Sequence, residues 1–231
     1  MQRALHNVLD LLLPQRCVSC RALGENLCRS CIGGIAELPT LRCPLCNAAV
    51  AKQYAICRQC RLTHPKLRGI ATIGAFSGPL RHAIHHYKYQ DRTSLAQDLG
   101  ELLSQLVMDA EIPPCAAIVP VPLHPKREAE RGFNQASLLA LAVSERLHLP
   151  VLSDGIVRIV DTPPQVGLSR EQRLRNVAGA FSARRSAFQH GGILLLDDVA
   201  TTRATLVTCA QELVQEGGAP WVWGAVLARG G

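Results

Sequence analysis

The chain has 231 residues, which is enough for one well-packed domain and a smaller module. Hydrophobic residues make up 48% and charged residues 19%, values typical of a folded protein, so a disordered chain is excluded. The formal net charge is +7, and no apolar run is long enough to cross a bilayer, so we expect a cytoplasmic protein without a transmembrane segment.

The amino-terminal stretch predicts a short amphipathic helix, because Leu5, Val8, Leu9 and Leu12 recur at helical spacing. Asp10 interrupts this apolar stretch, and it has no small-residue cleavage site, so we do not interpret it as a signal peptide. We therefore expect a reducing compartment, in which cysteines do not form a disulfide framework.

Eight of the ten cysteines form four C-x2-C pairs. Each pair bends the chain so that both thiolates face one point, and two pairs complete a tetrahedral shell of four thiolates around zinc. The sequence therefore predicts two structural zinc ions, held by Cys17, Cys20, Cys28, Cys31, Cys43, Cys46, Cys57 and Cys60. The spacing allows a sequential pairing, as in two successive zinc ribbons, and also a crossed one.

Cys115 and Cys209 stand alone and are expected to be small apolar core residues.

The basic character of the chain is concentrated in residues 1–65, which contain eight arginines and lysines against three acidic residues. Eight thiolates with two Zn2+ ions carry a net charge of about −4, so metal loading leaves this module at about +1 and the whole chain at about +3. Net charge alone is therefore weak support for nucleic-acid binding. Two interpretations stay open: the arginines form a patch on the ribbon, or each is solvated separately.

Past residue 65 the pattern changes to alternating strands and helices. Strands are predicted around Ile73, over 115–122, near 155–160, over 193–198 and over 221–228, and helices over 78–92, 93–110, 132–147, 169–176 and 204–216. This alternation predicts an α/β domain over residues 66–231, with a parallel sheet covered by helices on both faces and preceded by the small four-cysteine zinc-ribbon module of residues 1–65.

The aromatic residues next to basic ones are weak signs of a base-binding surface. Tyr87 and Tyr89 lie two positions apart, so they do not share a helix face, and Lys88 between them is expected to be a solvated charge. Trp221 and Trp223 alternate as in a half-exposed strand and are expected to pack. The sequence therefore contains no convincing base-recognition signature.

The stretch GGILLLDDVATTRATL predicts a ribose 5-phosphate site. Ile193–Leu196 is an apolar run typical of a central strand buried on both faces, and Asp197 and Asp198 stand at its carboxyl end, where α/β sheets bind their ligands. Carboxylates accept hydrogen bonds from sugar hydroxyls, and the first turn of the next helix offers backbone N–H groups and threonine hydroxyls to a phosphate.

These residues resemble the PRPP-binding motif of the type I phosphoribosyltransferases, and the chain resembles the ComF family of competence proteins, which is also represented by GntX. The resemblance follows the family's order over nearly the whole chain: the paired cysteines, HHYKYQDR, VPVPLHPKREAERGFNQ, TPPQVGLSREQRLRNVAGAF and GGILLLDDVATTRAT. Its most specific parts are RGFNQ and the spacing of Gln165, Leu168, Arg173 and Asn176.

The resemblance implies a type I phosphoribosyltransferase-like fold and a set of PRPP contacts. The phosphate and ribose cradle would consist of Asp197, Asp198, Ala200, Thr201, Thr202, Arg203, Ala204 and Thr205. The pyrophosphate loop would use His124, Lys126 and Arg127, with Arg131 near the same crevice. Mg2+ would bridge the pyrophosphate and the ribose through few protein ligands, and residues 161–175 match a loop that closes over the site. No residue is assigned a catalytic role.

Arg203 departs from the family pattern, which has glycine after the two threonines. Glycine allows a positive φ and a close approach of the backbone to phosphate, whereas a side chain either takes an ordinary helical conformation or costs about 1–3 kcal/mol of strain. Two outcomes stay open: the arginine pairs with the phosphate, or it fills the cradle. Whether the domain is an active enzyme stays open with them.

Three functions fit the sequence. The resemblance favours a DNA-uptake factor of natural transformation, in which the ribbons bind single-stranded DNA, the α/β domain binds PRPP or a nucleic-acid phosphate, and uptake proteins at the membrane are partners. The first alternative is an active PRPP-dependent phosphoribosyltransferase of nucleotide metabolism, whose chemistry needs positioning and charge stabilisation rather than an obvious general base. The second is a PRPP-sensing regulator whose ribbons bind a partner protein.

Overall fold

The computed structural model describes residues 15–39, 41–64, 66–89, 92–161, 179–185, 187–188, 191–200 and 203–230. The predicted amino-terminal helix and the predicted helix over 169–176 lie outside these residues, as do Thr201 and Thr202. In the described part of the chain, no helix combines the length and apolar character that a bilayer crossing requires.

Seven helices and six strands make up the described residues. The helices are α1 (Arg29–Gly33), α2 (Arg58–Thr63), α3 (Gly78–Tyr89), α4 (Leu95–Asp109), α5 (Pro125–Arg131), α6 (Gln135–Leu147) and α7 (Ala204–Gln215). The strands are β1 (Leu67–Ala75), β2 (Cys115–Pro120), β3 (Ile156–Arg158), β4 (Phe181–Ala183), β5 (Gly192–Ala200) and β6 (Val222–Arg229).

Four strands form a parallel sheet in the order β1-β6-β5-β2. The apolar run of the central strand β5 does not alternate with polar residues, because both faces of this strand are buried. Ile193 and Leu195 pack with α7 on one face, whereas Leu194 and Leu196 pack with α3, α4 and α6 on the other. Each side chain of this run is at most 1% exposed. The predicted α/β class, with helices on both faces of a parallel sheet, is therefore confirmed.

The cysteine-rich segment covers the edge of the sheet that β1 would otherwise leave open. The backbone N–H of Ile70 donates to Tyr54 O at 3.2 Å, and that of Ala75 donates to Ala36 O at 2.9 Å. The close approach requires glycine at position 74, because a Cβ on Gly74 would lie only 2.6 Å from Cγ2 of Ile35. These contacts protect the edge strand from pairing with another chain.

The same segment also contributes to both hydrophobic cores. Cys43, Leu45 and Ile56 are buried in the core on the α7 face, and Cys17 and Leu27 are buried in the core on the opposite face. The module is therefore packed onto the sheet domain through continuous apolar contacts.

Two elements of the sheet domain differ from the sequence prediction. The pyrophosphate-loop segment begins a helix, α5, because His124 Nδ1 accepts a hydrogen bond from Lys126 N at 3.3 Å and Pro125 suits the first turn. The predicted weak strand near 155–160 is β3, and it pairs antiparallel with β4, a short strand that was not predicted. These pieces are too short to carry a periodic signal.

Candidate functional site

A pocket of about 380 Å3 lies at the carboxyl end of β5, where the ligand site was predicted. Its floor is formed by Asp197, Val199 and Ala200 of β5. Three arginines from different elements line it, Arg127 of α5, Arg158 of β3 and Arg203 before α7. The tertiary structure thus brings three arginines to the pocket that Asp197 also lines, and such a concentration of positive charge favours a phosphorylated ligand.

Lys88 of α3 also lines this pocket, and it binds one of the two predicted carboxylates. Its Nζ lies 2.8 Å from Oδ2 of Asp198, and the two side chains are 19% and 13% exposed. Burial lowers the pKa of Lys88, but the charge and hydrogen bond of Asp198, together with the charge of Asp197, raise it above its ordinary value, so the ammonium is retained. The expectation that Lys88 is a solvated charge is therefore wrong, and the reason is the helix-to-strand packing that the sequence pattern does not reveal.

Asp197 remains on the pocket floor without that partner. Burial, and then the adjacent charge of Asp198, raise the pKa of Asp197 above the ordinary carboxyl range. Its Oδ1 accepts a hydrogen bond from the backbone N–H of Asp198 at 2.8 Å. The two aspartates therefore have different electrostatic roles: Asp198 is neutralised by Lys88, and Asp197 faces the ligand space.

Arg203 occupies the left-handed region, with φ +62° and ψ 0°, and is the residue immediately before α7. The backbone thus keeps the conformation for which glycine is suited, and the side chain is accommodated at the cost of strain. Arg203 lines the pocket, as does Thr205. Of the two conformations considered for this position, the strained one is found.

The residues predicted to bind pyrophosphate lie close to the carboxylate of Asp161. The carboxylate of Asp161 lies 3.9 Å from His124 Nδ1, 3.9 Å from Lys126 Nζ and 3.7 Å from Arg127 Nε. These three side chains therefore converge on one point beside the pocket, and at that point Asp161 provides the negative charge.

Arg131 contacts a different part of the structure. Its Nη1 donates to Oε1 of Gln135 at 2.8 Å, and its guanidinium lies 5.4 Å from the ring centroid of Tyr89. It is not among the residues that line the pocket. Ala204, also predicted for the cradle, is 1% exposed and belongs to the core on the α7 face.

Aromatic side chains form the outer wall of the pocket. Phe76, His85 and Tyr89 line it, and the rings of His85 and Tyr89 are 5.2 Å apart. Tyr87, by contrast, is fully buried and donates from its hydroxyl to Gln135 O at 2.7 Å. Neither this wall nor Arg158 was predicted from the sequence. The only signal was the i, i+4 spacing of His85 and Tyr89, which places both on one face of α3.

The tryptophans lie away from this pocket. Trp223 is 6% exposed and its indole covers Gly69, where a Cβ would approach ring atoms to 2.3 Å. Trp221 covers Gly192 in the same way. The expectation that these residues pack is confirmed.

The two unpaired cysteines differ in burial. Cys209 is buried as predicted, whereas Cys115 is partly buried at the start of β2.

The eight paired cysteines form two clusters in sequential order. Within each cluster the sulfur atoms lie within 4.8 Å of one another, first Cys17, Cys20, Cys28 and Cys31, then Cys43, Cys46, Cys57 and Cys60. The sequential pairing is thus found, rather than the crossed one.

The cluster geometry fits tetrahedral zinc. Zn–S bonds of about 2.3 Å place the sulfurs of a four-cysteine site about 3.8 Å apart. Backbone N–H groups point at the sulfurs, from Cys28 to Cys17 Sγ at 3.5 Å and from Cys57 to Cys43 Sγ at 3.4 Å. These contacts stabilise thiolates, the form that binds metal. Both clusters are therefore compatible with a structural zinc ion.

A parallel α/β sheet with a cationic crevice at the end of β5, preceded by two clusters of four cysteines, defines the class of protein: an α/β domain with a zinc-ribbon-type module. Competence protein F of Haemophilus influenzae is 33% identical over 201 residues, which are 83% of this chain and 87% of that protein. DNA utilization protein YhgH of Escherichia coli is 32% identical over 219 residues, which are 90% of this chain and 95% of that protein. The chain belongs to the ComF family.

Other comparisons give weaker similarities. Competence protein ComFC of Bacillus subtilis is 26% identical over 215 residues, 89% of this chain and 85% of that protein. Among solved structures, glutamine phosphoribosylpyrophosphate amidotransferase from B. subtilis is similar, with a TM-score of 0.32 and 16% sequence identity. The match covers 60% of this chain and 39% of the amidotransferase chain, and it carries no argument about function. A scan against protein-family models finds no match.

Proposed function

We propose that this protein is a DNA-uptake factor of natural transformation, which binds single-stranded DNA through the ribbon module and a phosphorylated ribose such as PRPP in the crevice at the end of β5. The observation that carries the proposal is the convergence of Arg127, Arg158 and Arg203 on the pocket beside Asp197. The relatives named for competence and DNA utilization support the biological setting.

The ribbon module offers the charges that a single strand requires. Its cations are on the surface, and the exposed ones among the described residues are Arg16, Arg21, Arg29, Arg42, Lys52, Arg58 and Arg61. Only Glu25 and Glu37 oppose them in the described part of the module. Cations distributed over a small folded unit bind phosphates without reading sequence, which is what uptake of arbitrary DNA requires.

The crevice favours binding over turnover. A phosphoribosyltransferase cradle uses its acidic pair to hold ribose hydroxyls, and here the ammonium of Lys88 neutralises Asp198 at 2.8 Å. Mg2+ would have few protein oxygens to bind, so any bound ion is held chiefly by the ligand's own phosphates. Bound Mg2+ would supply charge neutralisation of a pyrophosphate. An active transferase and a PRPP-sensing regulator remain the alternatives to this proposal.

The remaining parts of the proposal concern organisation and place. We assign residues 1–65 to the double ribbon, with one structural zinc ion in each cluster, and residues 66–231 to the phosphoribosyltransferase-like domain. The protein acts in the cytoplasm, beside the uptake machinery at the membrane.

The test measures binding of a fluorescent single-stranded oligonucleotide to the zinc-loaded protein at several salt concentrations. Each lost phosphate contact lowers the slope of log affinity against log salt by about 0.7 for a single strand. We expect the double variant Arg29→Gln with Arg58→Gln to lower that slope by about 1.4. Removal of zinc should weaken binding further, because the ribbon loses its fold.

The matched control removes two charges elsewhere, Arg146→Gln with Arg185→Gln, on exposed parts of the sheet domain. An equal decrease of the salt slope in both variants would mean that the overall positive charge of the protein binds the DNA, and would contradict the assignment of DNA binding to the ribbon module. A parallel calorimetric titration with PRPP and Mg2+ should show saturable binding. Release of pyrophosphate during that titration would favour the transferase alternative.

A further inference from the structure

A second pocket, of about 450 Å3, lies at the amino-terminal end of the parallel strands, away from the crevice at the end of β5. Three separate parts of the chain line it. The ribbon module contributes Lys52 and Arg61, the second positions of β1 and β6 contribute Arg68 and Trp223, and the segment after α4 contributes Glu111 and Pro113. The proposed site for the ribose phosphate uses none of these residues.

Trp223 brings a hydrogen-bond donor without an acceptor to this pocket. Its side chain is 6% exposed, and the buried indole Nε1 has no hydrogen-bond partner among the residues that the structure describes. The indole packs over Gly69, which holds the ring in place. Buried tryptophan N–H groups usually have an acceptor, and leaving one without an acceptor costs free energy. An acceptor bound in the pocket would satisfy this group.

Arg61 and Arg68 bring positive charge to the same pocket. Nη2 of Arg61 donates to the carbonyl oxygen of Ile56 at 3.2 Å, and the guanidinium of Arg68 lies 5.7 Å from the ring centroid of Trp221. These contacts orient the two arginines but leave their charges uncompensated. In the described part of the chain neither arginine has a carboxylate partner. Guanidinium groups of this kind bind oxyanions.

The pocket already contains one bound carboxylate. Nζ of Lys52 lies 2.9 Å from Oε2 of Glu111, and the two side chains are 57% and 79% exposed. This pair leaves the two arginines for a second anion and places a negative charge at the rim. A DNA strand carries a charge on every phosphate, so Glu111 would repel the phosphates that flank a bound one. A single carboxylate among neutral groups avoids that repulsion.

The exposure of the charged residues favours a protein over a small free acid. A small-molecule site buries most of its ligand, whereas Lys52, Arg61, Arg68 and Glu111 are all exposed. A protein that inserts one side chain into the pocket would cover these groups with its own surface. Arginine and tryptophan are also the residue types that contribute most to binding at protein interfaces.

We propose that this pocket is a docking site for an acidic side chain, glutamate or aspartate, of a partner protein. The carboxylate binds to Arg61 and Arg68 and accepts a hydrogen bond from the indole N–H of Trp223. This inference goes beyond the proposed function, because it needs neither DNA on the ribbon module nor PRPP in the crevice.

The experiment follows the indole N–H signals of the full-length, zinc-loaded protein by nuclear magnetic resonance. The chain has two tryptophans, so the signal that is lost in Trp223→Phe belongs to Trp223. The probe is a pentapeptide with blocked ends and one central glutamate, and the same peptide with glutamine is its control. We expect the glutamate peptide to shift the Trp223 signal downfield and, by calorimetry, to bind at least about tenfold more tightly than the glutamine peptide.

Variants test the residues that hold the carboxylate. Arg68→Gln and Trp223→Phe should each weaken binding of the glutamate peptide about tenfold, because each removes a hydrogen bond to a charged group. The matched control is Arg58→Gln, which removes an exposed charge of α2 outside the pocket and should leave the affinity within about twofold. If Trp223→Phe is unstable, Arg68→Gln keeps the test decisive, since its side chain is exposed.

Equal affinity for the glutamate and glutamine peptides would overturn the inference, and so would a Trp223 signal that the glutamate peptide leaves unmoved. Two competing probes, dimethyl phosphate and glutarate, test the other ligand classes. If dimethyl phosphate binds more tightly than the glutamate peptide, the pocket takes a DNA phosphate and the carboxylate assignment fails. If glutarate alone shifts the Trp223 signal, the pocket takes a free acid and the docking assignment fails.

Discussion

Arg203 is the residue whose backbone and side chain have separate roles. With φ at +62° its backbone follows the path that a glycine would take, so the turn from β5 into α7 keeps its shape. Arg203 lines the crevice, so its side chain adds a positive charge there that glycine cannot supply. The left-handed conformation costs a side-chain-bearing residue roughly 1 kcal/mol, and we infer that the charge is the compensating gain.

Arg203→Gly should therefore separate stability from binding. We expect the free energy of unfolding to rise by about 1 kcal/mol, because the strain is removed. PRPP affinity should fall about tenfold, because a charge-assisted hydrogen bond is lost. Chemical denaturation and calorimetry measure the two effects.

The control for this change is His148→Gly. His148 has φ +54° at the end of α6, is exposed, and does not line the crevice, so it should gain stability without a change in PRPP affinity. Tighter PRPP binding by Arg203→Gly would contradict this interpretation and would mean that the arginine fills the cradle.

Among the elements, the paired cysteines were the easiest to interpret and the small pieces of the sheet domain were the hardest. A C-x2-C pair is a local unit that brings two sulfurs together through its spacing, so the eight cysteines that form the clusters could be predicted from the sequence. The strand β5 and helix α7 were predicted for a similar reason, since their apolar patterns are long. Helix α5 depends on a capping contact from His124 and strand β4 on pairing with β3, and neither leaves a periodic pattern.

The sequential clusters make a quantitative prediction about zinc. Cys17→Ser with Cys28→Ser alters one cluster and should leave one zinc ion per chain, whereas Cys17→Ser with Cys57→Ser alters both and should leave none. Native mass spectrometry counts the ions, and Cys115→Ser, outside both clusters, should retain two. A crossed arrangement in solution would leave no zinc in the first double variant.

For the whole molecule, the important feature is that the ribbon and the sheet domain share their cores. Ile56 of the ribbon is 1% exposed and packs in the core that contains Leu67 and Leu195. Backbone hydrogen bonds join the module to β1 at Ile70 and Ala75. The module therefore stabilises the domain that holds the crevice, and the two parts should unfold together.

Ile56→Ala tests this coupling. We expect the free energy of unfolding to fall by about 2–4 kcal/mol, because a buried side chain is truncated. The chain contains two tryptophans, Trp221 and Trp223, both in the sheet domain, so their fluorescence reports unfolding there. Leu62→Ala, at a side chain 71% exposed, should change the value by no more than about 0.5 kcal/mol. A tryptophan transition that Ile56→Ala leaves unmoved would mean that the ribbon unfolds independently.

Three features could be predicted from the sequence: the paired cysteines, the alternation of strands and helices, and the position of Asp197 and Asp198 at the end of a buried strand. Each of these is encoded by residues close together in the chain, through spacing, periodicity or a turn. Three others depend on how the elements pack: Lys88 neutralises Asp198, and Arg158 and Phe76 line the crevice. These groups come from separate elements, and only the packing of α3 and β3 around the end of β5 brings their charges and rings together.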